Sequence, residues 1–255
     1  MSKYAKYDNE ILRLFKEGLT NTEIGKIIGI DYRRVSDRLK IYNLKAKPAN
    51  SNNKLHIKNE QQYQVLIGTV IGDGCLFTGK NNRNYRMNLA HSLKQREYFL
   101  YKYNVLKDLI NTKPTQRTWR DKRTNNTYSE IRFQSKTNPL YTELYNTWYA
   151  NGKKIIPKDE IFKLNEIGLA IKYFDDGFYN SNGAYSISMC DFDNESIKNF
   201  RILLMDKFNI DTNVHKSKYI YIPKRFSLKF KDIVIPYATN DVLYKLGENR
   251  GTPNV

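Results

Sequence analysis

The sequence predicts an α+β protein in which an αββαββα unit occurs twice, preceded by a small all-α helix-turn-helix module. Two observations carry this prediction. A helical pattern that ends in Asp-Gly at Asp73 recurs 103 positions later at Asp176, and each copy is followed by alternating strand patterns and a further helical segment. In addition, residues 8–44 have the spacing of three short helices.

Composition restricts the classes of protein that remain. The chain has 255 residues, with 43 Lys and Arg against 26 Asp and Glu, a net charge of +17. Such an excess of positive charge favours a polyanionic partner, nucleic acid above all. The sequence contains no run of about 18 apolar residues, so it predicts no membrane span. We therefore expect a soluble protein without membrane contact, cytoplasmic in a bacterium or phage host or in an organelle matrix, and not secreted.

The cysteines and histidines exclude several kinds of site. Cys75 and Cys190 are too few for a disulfide framework and are expected to be small packing residues. The three histidines, His56, His91 and His215, are far apart in sequence and have no Cys companions. The sequence therefore does not provide the residues that a zinc finger or a Ser-His-Asp triad needs.

The amino-terminal module, residues 1–46, carries clear helix signals. Thr20 and Glu23 form a capping box, in which each side chain satisfies a free backbone amide at the start of the second helix. Gly29 permits a tight turn, and Asp31 can cap a third helix. On that third helix we expect three exposed cations to face a phosphate backbone, namely Arg33, Arg34 and Arg38. A helical cap with an ordinary solvated basic face is the alternative.

Residues 47–61 are polar, contain Pro48, and are expected to be a flexible linker. The body then divides into two copies, at residues 62–152 and 153–255. In the first copy we expect strands near residues 83–91, 115–120 and 128–135 and helices at 95–110 and 139–149. In the second copy we expect strands near residues 184–189, 213–218, 219–222 and 227–230 and a helix at 195–208.

The predicted strands alternate apolar residues with basic or amide-bearing ones. Met87 and Leu89, for example, alternate with Arg86 and Asn88. Helices are expected to cover the apolar face, which leaves Arg, Lys, Asn and Gln for base edges and phosphates in a DNA groove. A solvated sheet face is the alternative. The candidate DNA-binding side chains of the body are Arg86, Asn88, Arg117, Arg120, Arg132, Gln134, Lys216, Lys218 and Lys229.

The two helical motifs, LIGTVIGDG at residues 66–74 and LAIKYFDDG at residues 169–177, resemble those of LAGLIDADG homing endonucleases of the double-motif, monomeric, intron-encoded type. KKIIP at residues 153–157 and YKL at residues 244–246 also look like landmarks of that family. The resemblance covers roughly residues 62–247 and implies saddle-like antiparallel sheets and a central pair of motif helices. Gly68 and Gly72 offer a smooth stripe for that helix packing. The second copy departs from the pattern, with Ile171 and Asp175 at the corresponding places.

The resemblance also implies a site for phosphodiester hydrolysis on each DNA strand. It places Asp73 and Asp176 side by side against the minor groove, as ligands of Mg²⁺ or another divalent cation. It brings Lys154 and Lys245 towards the scissile phosphates, where each can stabilise developing charge or act as a phosphate clamp. Lys153 competes with Lys154 for this role. Asp175 is either an acceptor behind the metal ligand or a helix-end charge.

The expected function is a metal-dependent, site-specific double-strand break in DNA, made by a monomer and serving the homing of a host intron or gene. Two alternatives stay open. One is an RNA-binding intron maturase without nuclease activity, with the host intron RNA as partner. The other is a transcription regulator that uses the helix-turn-helix module. Retention of both acidic motif ends, Asp73 and Asp176, favours the endonuclease.

Overall fold

A computed structural model describes residues 3–44, 54–79, 82–215 and 218–248. The chain divides into two compact units, Met1–Lys54 and Leu55–Val255. In the described parts of the chain, no helix has both the length and the apolar character needed to cross a bilayer.

The first unit contains three α-helices: α1 (Asp8–Lys16), α2 (Asn21–Ile28) and α3 (Tyr32–Ile41). The predicted capping box is confirmed, since the Thr20 side chain accepts from the Glu23 amide while the Glu23 carboxylate accepts from the Thr20 amide. Gly29 ends α2 with a φ of 70°, which favours glycine. The Asp31 side chain caps α3. A small apolar core is formed by Ile11, Leu14, Ile24, Val35 and Leu39.

The second unit contains two αββαββα copies, as predicted. The first copy consists of α4 (Glu60–Ile71), β1 (Cys75–Phe77), β2 (Arg86–Ser92), α5 (Arg96–Ile110), β3 (Thr115–Arg120), β4 (Thr127–Gln134) and α6 (Pro139–Trp148). Its antiparallel sheet has the order β1-β2-β4-β3. A short hairpin, β5 (Tyr149–Ala150) with β6 (Lys153–Lys154), and the helical turn α7 (Lys158–Ile161) lead to the second copy.

The second copy consists of α8 (Glu166–Asp176), β7 (Gly177–Tyr179), β8 (Tyr185–Ser188), α9 (Asn194–Phe208), β9 (Asn213–Val214), β10 (Tyr219–Ile222) and α10 (Ser227–Val234). Its antiparallel order, β7-β8-β10-β9, repeats that of the first sheet. The helices of both copies and the inner faces of both sheets share one continuous apolar core. Duplication of the unit is thus visible in element order and in sheet topology.

Four expectations about local structure were wrong. The segment predicted as a strand at residues 227–230 begins α10, because Phe230 and Val234 are buried on one face at helical spacing. Lys229 therefore lies on a helix and not on a sheet. The end of the predicted linker is packed: Leu55 and Ile57 contact the body core, and the Leu55 amide donates to Asn138 Oδ1 at 3.0 Å. Residues 47–53 of that linker lie outside the described residues.

Arg38 is the third correction. It was expected on the exposed face of α3, but its side chain is only 11% exposed and its guanidinium forms an ion pair with Asp8 at the start of α1. Tyr42 donates to the same carboxylate at 2.6 Å. Arg38 therefore joins the first and third helices and is not presented to a partner. Arg33 and Arg34 remain exposed, with surface ion pairs to Asp31 and Asp37.

The cysteines are the fourth correction. Cys75 and Cys190 are both exposed, so neither is a packing residue of the core. Cys75 is the first residue of β1, where its side chain alternates with the buried Leu76. Strand alternation therefore turns the Cys75 side chain to the outer face of the sheet.

The two motif helices, α4 and α8, pack with their backbones in close approach. A Cβ atom added at Gly68 would lie 2.7 Å from Ile171 Cβ and 2.8 Å from the Gly168 carbonyl oxygen. A Cβ atom at Gly72 would collide with the Asp175 side chain. The predicted packing role of Gly68 and Gly72 thus has a geometric basis, and Ile171 and Asp175 fill the space that these glycines leave.

We predict that Gly68→Ala lowers the free energy of unfolding by about 1–3 kcal/mol, because the added methyl group meets rigid atoms of α8. Alanine's helix propensity alone would raise stability by about 1 kcal/mol, so the sign of the change is diagnostic. Urea denaturation measures it. Gly79→Ala is the control, since its added Cβ meets only the Asn82 side chain, and it should change stability by less than about 0.5 kcal/mol. A stabilised Gly68→Ala protein would contradict the close packing.

Candidate active site and DNA interface

Asp73 and Asp176 lie at the carboxyl-terminal ends of the two packed helices. Gly72 caps α4 and Asp73 follows it, whereas Asp176 is the last residue of α8. Their side chains are 37% and 28% exposed, so both carboxylates reach solvent at the edge of the core. A helix carboxyl end carries partial negative charge, so this position disfavours two further negative charges unless cations balance them.

Asp175 extends from α8 into the first copy and is fully buried. Its Oδ2 accepts from the Asp73 backbone amide at 2.9 Å, and its Oδ1 accepts from Lys102 Nζ at 2.7 Å and from the Tyr98 hydroxyl at 2.8 Å. Burial is the largest single influence and opposes ionisation of Asp175, but the Lys102 ammonium and the hydrogen bonds that the carboxylate accepts together outweigh it and hold the pKa of this carboxyl below its usual range. Asp175 therefore fixes the backbone that carries Asp73. Of the two alternatives for Asp175, an acceptor behind Asp73 or a helix-end charge, this geometry favours the acceptor.

Among the described residues, no Lys or Arg forms an ion pair with the Asp73 carboxylate. Burial raises the pKa of Asp73 to about 7, and repulsion from Asp175 adds to that effect. His91 Nδ1 lies 3.4 Å from Asp73 Oδ2. Burial lowers the pKa of His91 to about 3, so the imidazole is neutral and able to act as a metal ligand. Asp73, His91 and Asp175 offer donor atoms within 4.8 Å of one another.

Asp176 differs from Asp73 in its neighbours. Lys172, one helical turn earlier and buried, places Nζ 2.6 Å from Asp176 Oδ2. The same ammonium approaches the Phe192 ring at 4.9 Å. The residue at the corresponding place in α4, four positions before Asp73, is Thr69, whose buried hydroxyl has no partner among the described residues. The two acids of the duplicated site thus have different electrostatic surroundings.

Lys154 and Lys245 approach the two helix ends in parallel ways. Lys154 Nζ donates to the Gly72 carbonyl oxygen at the end of α4. Lys245 Nζ donates to the Phe174 and Asp175 carbonyl oxygens at 2.7 and 2.9 Å, at the end of α8. Burial lowers the pKa of both lysines. Each ammonium satisfies free helix carbonyls and offsets the negative helix end beside a motif aspartate, whereas Lys153 is exposed.

The first sheet carries most of the predicted DNA-binding side chains on its outer face. Strand alternation places Arg86, Asn88, Arg132 and Gln134 on the face opposite the buried Met87, Leu89, Ile131 and Phe133. Arg86 Nη1 donates to Gln134 Oε1 at 3.1 Å, and Arg132 Nη2 to Asn88 Oδ1 at 3.3 Å. Arg117, opposite Glu130, extends this face along β3. The result is a preorganised row of donors and acceptors.

The remaining candidates lie elsewhere. Arg120 is three residues after Arg117, so alternation turns it to the opposite face, the one that carries Ile131. Lys218 occupies a turn with a φ of 58° and donates to the Phe192 carbonyl oxygen at 2.8 Å. Lys229, on α10, is exposed and lies 3.4 Å from the Asn209 carbonyl oxygen. Lys216 lies outside the described residues.

Sequence reasoning missed the buried groups behind the site, although one signal was present. Lys102 lies between Tyr98 and Leu106 at helical spacing, on the buried stripe of α5. Lys172 likewise lies in an otherwise apolar stretch of α8. A lysine on the buried side of a helix requires an acidic partner, because an isolated buried charge is too costly. The search for that partner leads to Asp175 and Asp176.

Two packed helices with acidic ends, two antiparallel sheets and a basic outer face define a duplicated nucleic-acid enzyme architecture. The LAGLIDADG DNA endonuclease family is matched over residues 63–230, and the chain belongs to that family. The DNA endonuclease I-ChuI of Chlamydomonas applanata is 29% identical over 213 residues, which cover 75% of this chain and 97% of that protein.

Two further relatives extend the comparison. The cytochrome b mRNA maturase bI2 of Debaryomyces hansenii is 24% identical over 196 residues, covering 74% of each chain. Among solved structures, the homing endonuclease I-WcaI bound to its DNA recognition sequence superposes with a TM-score of 0.67 at 24% identity, covering 78% of this chain and 95% of that one. This likeness shows the α+β fold.

We predict opposite stability effects for the two motif aspartates in metal-free buffer. Because the folded-state pKa of Asp73 is raised, the unfolded chain binds fewer protons between about pH 4 and pH 7, and stability falls as the pH rises through this range. Asp73→Asn removes that penalty. Its urea midpoint should exceed that of the unchanged protein at pH 8 and match it only below about pH 4, with an amplitude moderated by the 37% exposure of the side chain.

Asp176→Asn is the matched comparison. It leaves the buried Lys172 ammonium without its anion, so we expect a loss of about 1–3 kcal/mol at pH 8. Equal shifts of the same sign in the two variants would contradict the difference between the two acids.

Proposed function

We propose that the chain is a site-specific DNA endonuclease that makes a double-strand break by hydrolysing one phosphodiester on each strand. One observation carries this proposal: two solvent-reaching carboxylates, Asp73 and Asp176, end a pair of helices that pack backbone to backbone. The basic outer face of the first sheet supplies the donors for a duplex. The similarity to I-ChuI, which extends over 97% of that protein, supports the same activity.

Asp73 and Asp176 hold divalent cations in this proposal, with Mg²⁺ as the native one. The fit rests on Asp73, which places a partly exposed carboxylate beside neutral His91 and whose carboxylate makes no hydrogen bond within the described residues. Carboxylate oxygens with open solvent positions are the donors that Mg²⁺ prefers. A bound cation lowers the pKa of a water molecule and stabilises charge on the departing oxygen.

The other side chains of the site orient these ligands and supply positive charge. Asp175 holds the Asp73 backbone, and Lys172 restrains one oxygen of Asp176, leaving the other oxygen for a ligand. Lys154 and Lys245 place ammonium groups at the two helix ends, where a scissile phosphate gains charge in the transition state. Each lysine therefore serves one strand. The active species is expected to be a monomer, because one chain carries both copies.

We predict that Asp73→Asn and Asp176→Asn each reduce the cleavage rate by at least about 100-fold, since changing even outer-shell partners of a metal costs 10–100-fold. DNA affinity should stay within a few-fold, because an amide preserves shape. The measurement is digestion of a random duplex library in Mg²⁺ and in EDTA, followed by sequencing of the cut ends and rate measurement on the recovered target. Asp206→Asn, an exposed acid on α9, is the control and should cut normally. Full activity of either motif variant would refute the assignment.

The amino-terminal unit is proposed to be a second DNA reader, with Arg33 and Arg34 on α3 facing phosphates. Both side chains are more than half exposed, at 74% and 55%. Tethering two readers in one chain makes the second binding event intramolecular and raises overall affinity. Residues 1–46 then correspond to this reader and residues 47–54 to a connecting segment, and residues 55–152 and 153–255 to the two copies of the nuclease.

Joint replacement of Arg33 and Arg34 by Ala should weaken target binding and make the salt dependence of log K shallower by about 0.9 for each phosphate that is no longer neutralised. Cleavage at saturating protein should be unchanged. Arg13→Ala, an exposed arginine on α1, is the matched control and should bind normally. Arg38→Ala is unsuitable as a probe because it breaks the Asp8 ion pair and destabilises the unit. An unchanged footprint and salt slope would favour a helical cap.

An RNA-binding maturase is the second candidate, and the maturase bI2 of Debaryomyces hansenii is the observation that favours it. The candidates differ in their partner and chemistry. Intron RNA bound more tightly than the random duplex library, with no Mg²⁺-dependent cutting of that library, would favour the maturase. A transcription regulator would bind DNA through the amino-terminal unit and would also leave the duplex intact.

A further inference from the structure

The outer faces of the two sheets are chemically different although their topologies match. On the first sheet the outward strand positions include Arg86, Arg117 and Arg132, together with amides. They also include the rings of Phe77, Trp119 and Tyr128, and the Arg86 and Arg117 guanidiniums lie over the first two of these rings. On the second sheet those positions are Phe178, Ser186, Ser188, Asn213, Tyr219 and Tyr221. Of the strand positions that the structure describes there, none carries a charged side chain.

Strand register allows the two faces to be compared position by position. Ser188 of β8 and Ala90 of β2 are at equivalent positions of the two sheets. Tyr219 pairs with Ser188 and Arg132 pairs with Ala90, so Tyr219 occupies the place of Arg132. By the same register, Tyr221 occupies the place of Gln134, and Phe178 the place of Cys75. An arginine and an amide of the first sheet are thus aromatic rings in the second. This exchange removes charge and adds apolar area at equivalent points.

The aromatic rings are held in position yet remain accessible. Phe178 is 41% exposed, and its ring meets Tyr219 edge to face, with centroids 5.5 Å apart and planes at 83°. Tyr221 packs against His215 at 5.0 Å, and its hydroxyl accepts from Asn182 Nδ2 at 3.1 Å. A row of ordered rings on a sheet face, one exposed and two half-buried, is typical of a surface that a partner covers.

The chemistry of this row selects one feature of duplex DNA. In the major groove, thymine alone presents a methyl group, and apolar side chains contact it. Arginine and the side-chain amides instead match guanine and adenine edges. We propose that the second sheet reads thymine methyl groups in its half of the target, with Phe178 and Tyr219 as the contacting side chains, whereas the first sheet reads its half through arginine and amide hydrogen bonds. This inference rests on the proposed DNA endonuclease function.

The test uses the full chain in EDTA, so that binding is measured without cleavage, and the duplex recovered by library digestion. Each thymine is replaced by deoxyuridine, which lacks only the methyl group, first in one half of the target and then in the other. We expect a loss of affinity of about 3- to 5-fold for each contacted methyl, from roughly 0.8 kcal/mol per buried carbon group. The half that contacts the second sheet should respond more strongly than the other, because guanidiniums cover two of the three outward rings of the first sheet.

Variants on the outer faces of the two sheets show which sheet causes the difference in affinity between thymine and deoxyuridine duplexes. Joint replacement of Phe178 and Tyr219 by Ala should abolish the difference between thymine and deoxyuridine duplexes. Arg132→Ala should weaken both duplexes equally and keep the difference. The inference is overturned if both halves respond alike, if neither responds, if the recovered half-sites lack thymine, or if the difference survives joint replacement of Phe178 and Tyr219 by Ala. Failure to recover any specifically bound duplex would instead count against the proposed function itself.

Discussion

Close approach of α4 and α8 is the constraint on which the site depends. Gly68 and Gly72 remove the Cβ atoms that would keep the helices apart, and Asp175 enters the space beside Gly72. A buried carboxylate there needs a cation, and Lys102 of α5 supplies it at 2.7 Å with no exposure of either side chain. Backbone packing, an ion pair and the position of Asp73 are therefore a single coupled feature. Loss of one member disturbs the others.

The duplicated architecture does not give a symmetric site. Lys172 accompanies Asp176 from within the same helix, whereas Asp73 has the neutral His91 and a raised pKa. The residues at corresponding positions, Thr69 and Lys172, differ by a full charge. Within the described residues, no ammonium is paired with the Asp73 carboxylate. A cation that approaches Asp176, in contrast, meets the ammonium of Lys172, which is paired with that carboxylate. Topology was conserved between the copies, while their local electrostatics diverged, because a buried charge depends on a few individual neighbours and not on the fold.

Much of the framework of the site could be predicted from the sequence, because it depends on short-range or periodic residue patterns. The repeated Asp-Gly after a helical stripe predicted both motif helices, and the αββαββα order of each copy followed from alternating patterns. The failures on the strands have a local cause. Residues 227–230 alternate like a strand over too short a stretch to exclude a helix, and Lys229 was misplaced with them. Arg120 was assigned to the basic face although period-two alternation separates it from Arg117.

Local sequence patterns were enough to predict the duplication, the helix caps at Thr20 and Asp31, and the place of Asp73 and Asp176 at helix ends, because each depends on residues a few positions apart. Which charges are buried depends on how the helices pack. Arg38 pairs with Asp8 across 30 residues, and Lys102 pairs with Asp175 across 73. Such pairs are invisible in a linear pattern, since their partners are chosen by which helices pack together and by the cost of leaving a buried charge unpaired.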